Sequence, residues 1–285
     1  MIKPSQLLIP LAIALTSCVW LQGCSSSNTA ATNNTNKPQG KLVLTGSSTI
    51  APLTAEISKR FESGHPGVRV DVQSGGSSRG ITDARQGVAD IGMVSRALKP
   101  EEKDLKVFSI ARDGVTVILH KENPVQSLSD KQVVDIYTGK VTNWQQVGGQ
   151  DRAITVVNKA EGRSTLELFT NYFKLKNSDI KAQVVIGENE QGIKTVAGNP
   201  NAIGYVSIGS AENSAANKVP IKLLPVNGVA ATTANVQNST FPISRPLNLV
   251  TKTEPQGLTK EFIDFAQSQQ VSDIVKKQNF VLVSK

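Results

Sequence analysis

Three short runs of small polar residues stand out in the chain: Gly46-Ser47-Ser48-Thr49, Gly75-Gly76-Ser77-Ser78 and Glu161-Gly162-Arg163-Ser164-Thr165. Each precedes a stretch with apolar residues at helical spacing, such as Ile50, Leu53, Ile57 and Phe61 after the first. A helix N-terminus exposes unpaired N–H groups and a partial positive charge, and a small-residue loop there lets an anion come close and adds hydroxyl donors. Serine and threonine are also ordinary helix caps, so one such loop alone says little. These runs, however, hold more hydroxyls than capping uses. Arg79 and Arg163 stand beside two of them, with planar forks that suit a tetrahedral oxyanion. Together these residues could grip an oxyanion without breaking a bond.

A different chemistry competes for the second run. Gly76-Ser77-Ser78-Arg79-Gly80 fits the nucleophile-elbow pattern of a serine hydrolase, with Ser78 as nucleophile and Asp113 and His120 following in hydrolase order. Against it, His120 closes an apolar strand pattern and is followed by Lys121-Glu122-Asn123-Pro124, whereas a catalytic histidine must reach the serine from a loop. The His-Gly-Gly-Gly motif that would help build an oxyanion hole is also missing. A binding protein, not an enzyme, is the expectation.

The elements that must position these loops follow from periodicity. From residue 41 onward, β-rich runs alternate with amphipathic helical patterns, which signals an α/β architecture with a largely parallel sheet. Strands are expected at 41–45, 68–73, 89–94, 115–120, 153–157, 203–206 and 247–250. The unit of strand, small-residue loop and helix occurs three times. A helix over 129–137 opens with Ser129 and Gln132 at capping-box spacing, and Leu258, Phe262, Phe265 and Ile274 mark a helical C-terminal region.

Composition bounds the remaining possibilities. The chain has 285 residues, 39% apolar and 19% charged, an ordinary globular profile. Its cysteines are Cys18 and Cys24, so the body has no thiol for a disulfide or a nucleophile, and two histidines are too few for a zinc site. No metal or cofactor is expected. The net charge of +8 is dispersed, with no basic run longer than Lys59-Arg60 or Lys276-Lys277, so nucleic acid is not an expected partner, while small anions are favoured.

The N-terminus carries an address. Lys3 followed by apolar residues 7–15 reads as a secretory signal, and Leu21-Gln22-Gly23-Cys24 resembles a bacterial lipoprotein box, with Cys24 lipidated after removal of residues 1–23. Cys18 also fits that pattern but is followed by the apolar Val19-Trp20-Leu21. Residues 24–40, rich in Ser, Asn, Thr and Ala, read as a flexible tether. The expected protein is exported, periplasmic or cell-surface, and lipid-anchored to a membrane.

Several motifs in one order resemble the PstS-type phosphate-binding proteins of ABC importers. They are the first two loops continued to Pro52 and Ile81, the run from Ala89 to Arg96, Asp113-Gly114-Val115, and the run from Tyr137 to Trp144. The resemblance extends from about residue 41 to the C-terminus at residue 285. It implies a two-lobed periplasmic-binding-protein-like fold of type II with a crossover-strand hinge. Lobe 1 would be 41–118 with 247–285, and lobe 2 would be 119–246. It further implies high-affinity binding of inorganic phosphate, delivery to the transmembrane subunits of an ABC permease, and a monomer. The ligand residues it implies are Ser48, Thr49, Ile50, Ser77, Ser78, Ser95 and Arg96. In the third loop the sequence departs from the family, which commonly has Gly-Ser-Gly-Thr preceded by arginine. Here Arg163 is expected to supply the guanidinium, with Ser164 and Thr165 as donors. Some relatives carry an aspartate where Ser95 stands, accepting the ligand's proton. Asp113 is the candidate replacement, its alternative role being to cap a turn before Gly114. Another tetrahedral oxyanion remains an alternative ligand.

Overall fold

The computed structural model describes residues 39–283. The expected signal segment 1–23, the lipidation site Cys24 with its alternative Cys18, and the tether up to residue 38 lie outside the described residues.

Strand β1 (Gly40–Gly46) runs through the first small-residue loop into helix α1 (Ala51–Gly64), and β2 (Val68–Ser74) runs through the second into α2 (Ser77–Gln86). Next come β3 (Ile91–Val94), β4 (Lys106–His120), α3 (Asp130–Tyr137), β5 (Thr155–Lys159) and α4 (Ser164–Phe173). The chain continues through β6 (Val184–Ile186), α5 (Asn189–Ala197), β7 (Ala202–Ser207), α6 (Ile208–Ala216), β8 (Ile221–Leu223) and α7 (Thr233–Gln237). It returns along β9 (Ser244–Thr251) to α8 (Gly257–Ala266) and α9 (Ser272–Lys277). The capping box of α3 forms as its spacing predicts, Ser129 Oγ accepting from the Gln132 amide at 3.2 Å.

The strands form a nine-stranded sheet in the order β2-β1-β3-β9-β4-β7-β5-β6, with β8 added on β4. β1 pairs in parallel with β2 and β3, as β5 does with β6 and β7. Parallel neighbours need a crossover, and the helices supply it; this is why strand, loop and helix recur as a unit. Between the two parallel groups lie the antiparallel β9 and β4. β4 spans 15 residues, pairing with β9 over 106–114 and with β7 over 115–119. Only its second half is expected from the sequence. The register slips between Ser109 and Ala111, which breaks the alternation that marks a strand.

Packing changes hands where pairing does. Ile110, Ala111, Leu247 and Leu249 bury in one core with Leu44, Leu53, Phe61 and Phe262, whereas Val115, Val117 and Ile243 bury in another with Tyr137, Trp144, Phe169 and Tyr205. The core therefore changes between Ala111 and Val115 on β4 and between Ile243 and Leu247 on β9. At this handover Asp113 and Arg245 are cross-strand partners. Gly80 allows α2 to press against β1 and β3: a Cβ there would lie 2.8 Å from the Met93 carbonyl oxygen and 2.9 Å from that of Thr45. That approach brings the start of α2 beside the end of β3.

Candidate functional site

The three small-residue loops converge. Ser47, Ser48 and Thr49 from the first, Gly76 and Ser77 from the second, and Arg163, Ser164 and Thr165 from the third line one small polar hollow, joined by Ser95 just past β3. Loops two and three touch through their backbones, the Ser78 amide donating to the Gly162 carbonyl at 3.2 Å. Gly76 makes this contact possible: its φ is +97° and a Cβ would sit 2.6 Å from Gly162 O. Neither α2 nor α4 has a side-chain cap, unlike α3, α6 and α7, which Ser129, Ser207 and Thr232 cap. Apart from Ser78, whose amide is taken by Gly162, the leading amides of α2 and α4 thus keep their donors and partial positive charge for another acceptor.

The serines form a connected hydroxyl chain. Ser47 Oγ donates to Ser95 Oγ at 2.8 Å, Ser77 Oγ donates to Ser164 Oγ at 3.0 Å, and Ser95 and Ser164 Oγ share a hydrogen bond at 2.5 Å. Ser47 Oγ also accepts from the amides of Thr49 at 3.2 Å and Ile50 at 3.3 Å.

Behind the hydroxyls sits a buried arginine that the sequence reading missed. Arg245 donates to Asp113 Oδ2 from Nε (3.1 Å) and Nη2 (2.8 Å). From its other edge, Nη1 donates to Thr165 Oγ1 and Nη2 to Thr49 Oγ1, both at 3.0 Å. One guanidinium thus joins the first loop to the third while its carboxylate partner fixes its plane. Lys159, at the end of β5, is also buried; its Nζ donates to Asn189 Oδ1 at 2.9 Å, and Asn189 Nδ2 donates to Thr49 Oγ1 at 3.0 Å. Burial, reinforced by the Arg245 cation, lowers the Lys159 ammonium from 10.5 to about 7. Arg245 has a carboxylate partner in Asp113, whereas Lys159 forms no salt bridge among the described residues, a lack that an arriving anion would relieve. Neither Arg245 nor Lys159 lies in a small-residue loop. The available signal is Asp113, a carboxylate just before an expected strand that would need a cationic partner if buried.

The expected residues divide in the structure. Ser48, Thr49, Ser77, Ser95, Arg163, Ser164 and Thr165 are brought together. Ile50 and Ser78 stand just behind the lining, with the Ile50 amide held by Ser47 and the Ser78 amide by Gly162. Arg96, expected at the anion, is a correction. Its Nη1 and Nη2 donate to Glu102 at 2.6 and 2.8 Å, and Nε lies 3.1 Å from Glu167, so carboxylates already occupy its fork. Asp113 as acceptor of the ligand's proton is a second correction: Oδ2 faces Arg245 and Oδ1 accepts from the Gly209 amide at 3.2 Å. Arg163 lines the hollow, its Nη1 donating to Glu188 Oε1 at 2.7 Å while its buried Nε has no hydrogen-bond partner among the described residues. No triad assembles around Ser78, because Asp113 is committed to Arg245 and His120 Nδ1 accepts from the Glu122 amide at 3.2 Å. Among the described residues, no group of three or more His, Cys, Asp and Glu side chains could hold a metal ion.

This architecture, with loops from both parallel groups meeting beside two connecting strands, defines an α/β fold of the type II periplasmic-binding-protein-like class. The profile of the PBP superfamily domain matches residues 30–270. A phosphate ABC transporter substrate-binding protein from Clostridium perfringens, solved with bound phosphate, is 36% identical; the match covers 86% of this chain and 100% of that one, with a TM-score of 0.79. An ABC-type phosphate transport receptor from Vibrio cholerae is 30% identical over 86% of this chain and 100% of its own, with a TM-score of 0.69. The phosphate-binding protein PstS of Bacillus subtilis is 28% identical over 263 residues, 90% of this chain and 86% of the relative. The chain belongs to the PstS-type phosphate-binding proteins of ABC transporters, a family of binding proteins and not of enzymes.

Proposed function

We propose that this chain captures inorganic phosphate in the serine- and threonine-lined hollow outside the cytoplasm and delivers it to the transmembrane subunits of an ABC permease. The observation that carries the reading is Arg245, buried between Asp113 on one edge and Thr49 and Thr165 on the other, behind the uncapped ends of α2 and α4. Thr49, Ser77, Ser164 and Thr165 supply hydroxyls, the leading amides of α2 and α4 supply N–H groups, and Arg245 and Arg163 supply charge. Two lobes, one before β4 plus the C-terminal segment and the other between β4 and β9, would close on the ligand by a hinge at the Asp113–Arg245 handover. Closure excludes water and strengthens each charge-assisted contact. The signal at residues 1–23 and lipidation at Cys24 would keep a monomeric receptor at the membrane.

One observation keeps a second ligand in play. No carboxylate lines the hollow, so the acceptor for a phosphate proton would be a hydroxyl, which opposes sulfate or molybdate less than an aspartate would. Calorimetry of the ligand-stripped protein against phosphate, sulfate and molybdate tests both readings. Saturable heat with phosphate is expected; heat only with another oxyanion would replace phosphate, and none with any would remove the proposal.

A further inference from the structure

Thr49 stands at a point where the polarity of one hydroxyl can be worked out. Its Oγ1 accepts from Arg245 Nη2 and from Asn189 Nδ2, both at 3.0 Å. A hydroxyl has two acceptor lone pairs and one proton, so with both lone pairs taken the Thr49 O–H must donate elsewhere. Thr49 lines the hollow, and a ligand oxygen there would receive that proton. The arrangement depends on Asn189 presenting its NH2 to Thr49. Lys159 enforces this, because its Nζ donates to the Asn189 carbonyl oxygen at 2.9 Å and an ammonium has donors but no acceptor. Were the amide reversed, NH2 would face an ammonium and Thr49 would lose a donor.

We propose that Lys159 is a positioning residue whose ammonium, acting through Asn189, commits the Thr49 hydroxyl to donate to the anion and couples anion capture to proton uptake. The inference rests on the anion-binding reading above and deepens it. Lys159 is 2% exposed, and the charged groups around it come from every side: Arg245 on β9, Arg163 before α4, Glu188 before α5 and Glu190 on α5. The arginines and burial favour loss of its proton, the glutamates oppose this, and Glu188 is already tied to Arg163 at 2.7 Å. With the ammonium at about 7, a ligand-free population holds the amine partly neutral near neutral pH. An anion seated against Thr49, in front of Arg245, adds negative charge nearby, so the ammonium form is favoured in the complex and binding draws in a proton.

The test compares the full-length protein with Lys159→Met, which keeps the apolar stem, and with Asn189→Leu, which cuts the relay. Inorganic phosphate is titrated calorimetrically in buffers of different ionisation enthalpy across the neutral range. The ratio of wild-type to Lys159→Met affinity cancels phosphate's own titration. It should exceed about tenfold below pH 7 and fall toward unity by about pH 9, and wild type should take up more protons per phosphate than Lys159→Met near neutrality. Asn189→Leu should bind phosphate more weakly, by about tenfold. A ratio that stays flat with pH, together with equal proton counts, overturns the coupling; wild-type affinity in Asn189→Leu overturns the relay. If Lys159→Met fails to fold, the wild-type proton count decides the coupling and Asn189→Leu decides the relay. Absence of phosphate binding by wild type would instead defeat the functional reading on which this inference rests.

Discussion

Arg245 and Arg163 both approach the hydroxyl-lined hollow and both are paired with a carboxylate. The side chains of Arg245 and Asp113 are each only 1% exposed, whereas those of Arg163 and Glu188 are 17% and 30% exposed. Water screens the second pair and barely reaches the first, so equal charges do unequal work. The partners also differ in what they leave free. Asp113 takes one edge of Arg245 and leaves Nη1 and Nη2 for Thr165 and Thr49, on loops from opposite ends of the sheet. Arg163 belongs to its loop by sequence and lines the hollow, with one guanidinium nitrogen tied to the half-buried Glu188. The arginine inside the motif and the arginine buried behind it are therefore expected to contribute unequally.

Breaking the buried pair should have the largest effect. Arg245→Met is expected to weaken phosphate binding by more than about a hundredfold and to lower stability by about 3–5 kcal/mol, because Asp113 is left buried and unpaired. Adding Asp113→Leu should recover most of the stability, read by urea unfolding, without recovering binding. Asp113→Asn comes next. Losing the charge on one edge of Arg245 should reduce affinity by about tenfold, while sulfate competition shows an unchanged preference, since neither carboxylate oxygen of Asp113 faces the hollow.

Lys159 sharpens the contrast from the stability side. Its ammonium is lowered from 10.5 to about 7, so between those values the unfolded chain binds more protons than the folded one and ligand-free stability rises with pH. Below about pH 7 the folded state carries the full penalty of the buried charge. Without ligand, Lys159→Met should therefore melt higher than wild type at about pH 6, and that advantage should shrink as pH rises through 7 toward 10.5. Arg163→Ala should have the smallest effect, a loss of affinity of less than about fivefold that shrinks as salt is raised.

What could be read from the sequence follows the range of the interactions involved. The loops before α1, α2 and α4 were legible because a glycine turn, a hydroxyl cluster and a helical apolar period are all local. The Ser129–Gln132 capping box was legible for the same reason. Arg245 was not, because its partner lies 132 positions away and only the antiparallel pairing of β4 and β9 joins them. Lys159 was hidden by a strand boundary: the expected strand ends at 157, whereas β5 continues to Lys159 and buries it. Arg96 was misassigned because nothing local announces that Glu102 and Glu167 fold back to occupy its guanidinium.

The most direct measurement is a set of parallel orthophosphate titrations of ligand-stripped wild type, Arg245→Met and Arg163→Ala. We predict saturable binding by wild type, affinity within about fivefold of it for Arg163→Ala, and loss of measurable binding for Arg245→Met. Binding by Arg245→Met at wild-type strength, or its abolition in Arg163→Ala alone, would contradict a site built on the buried arginine.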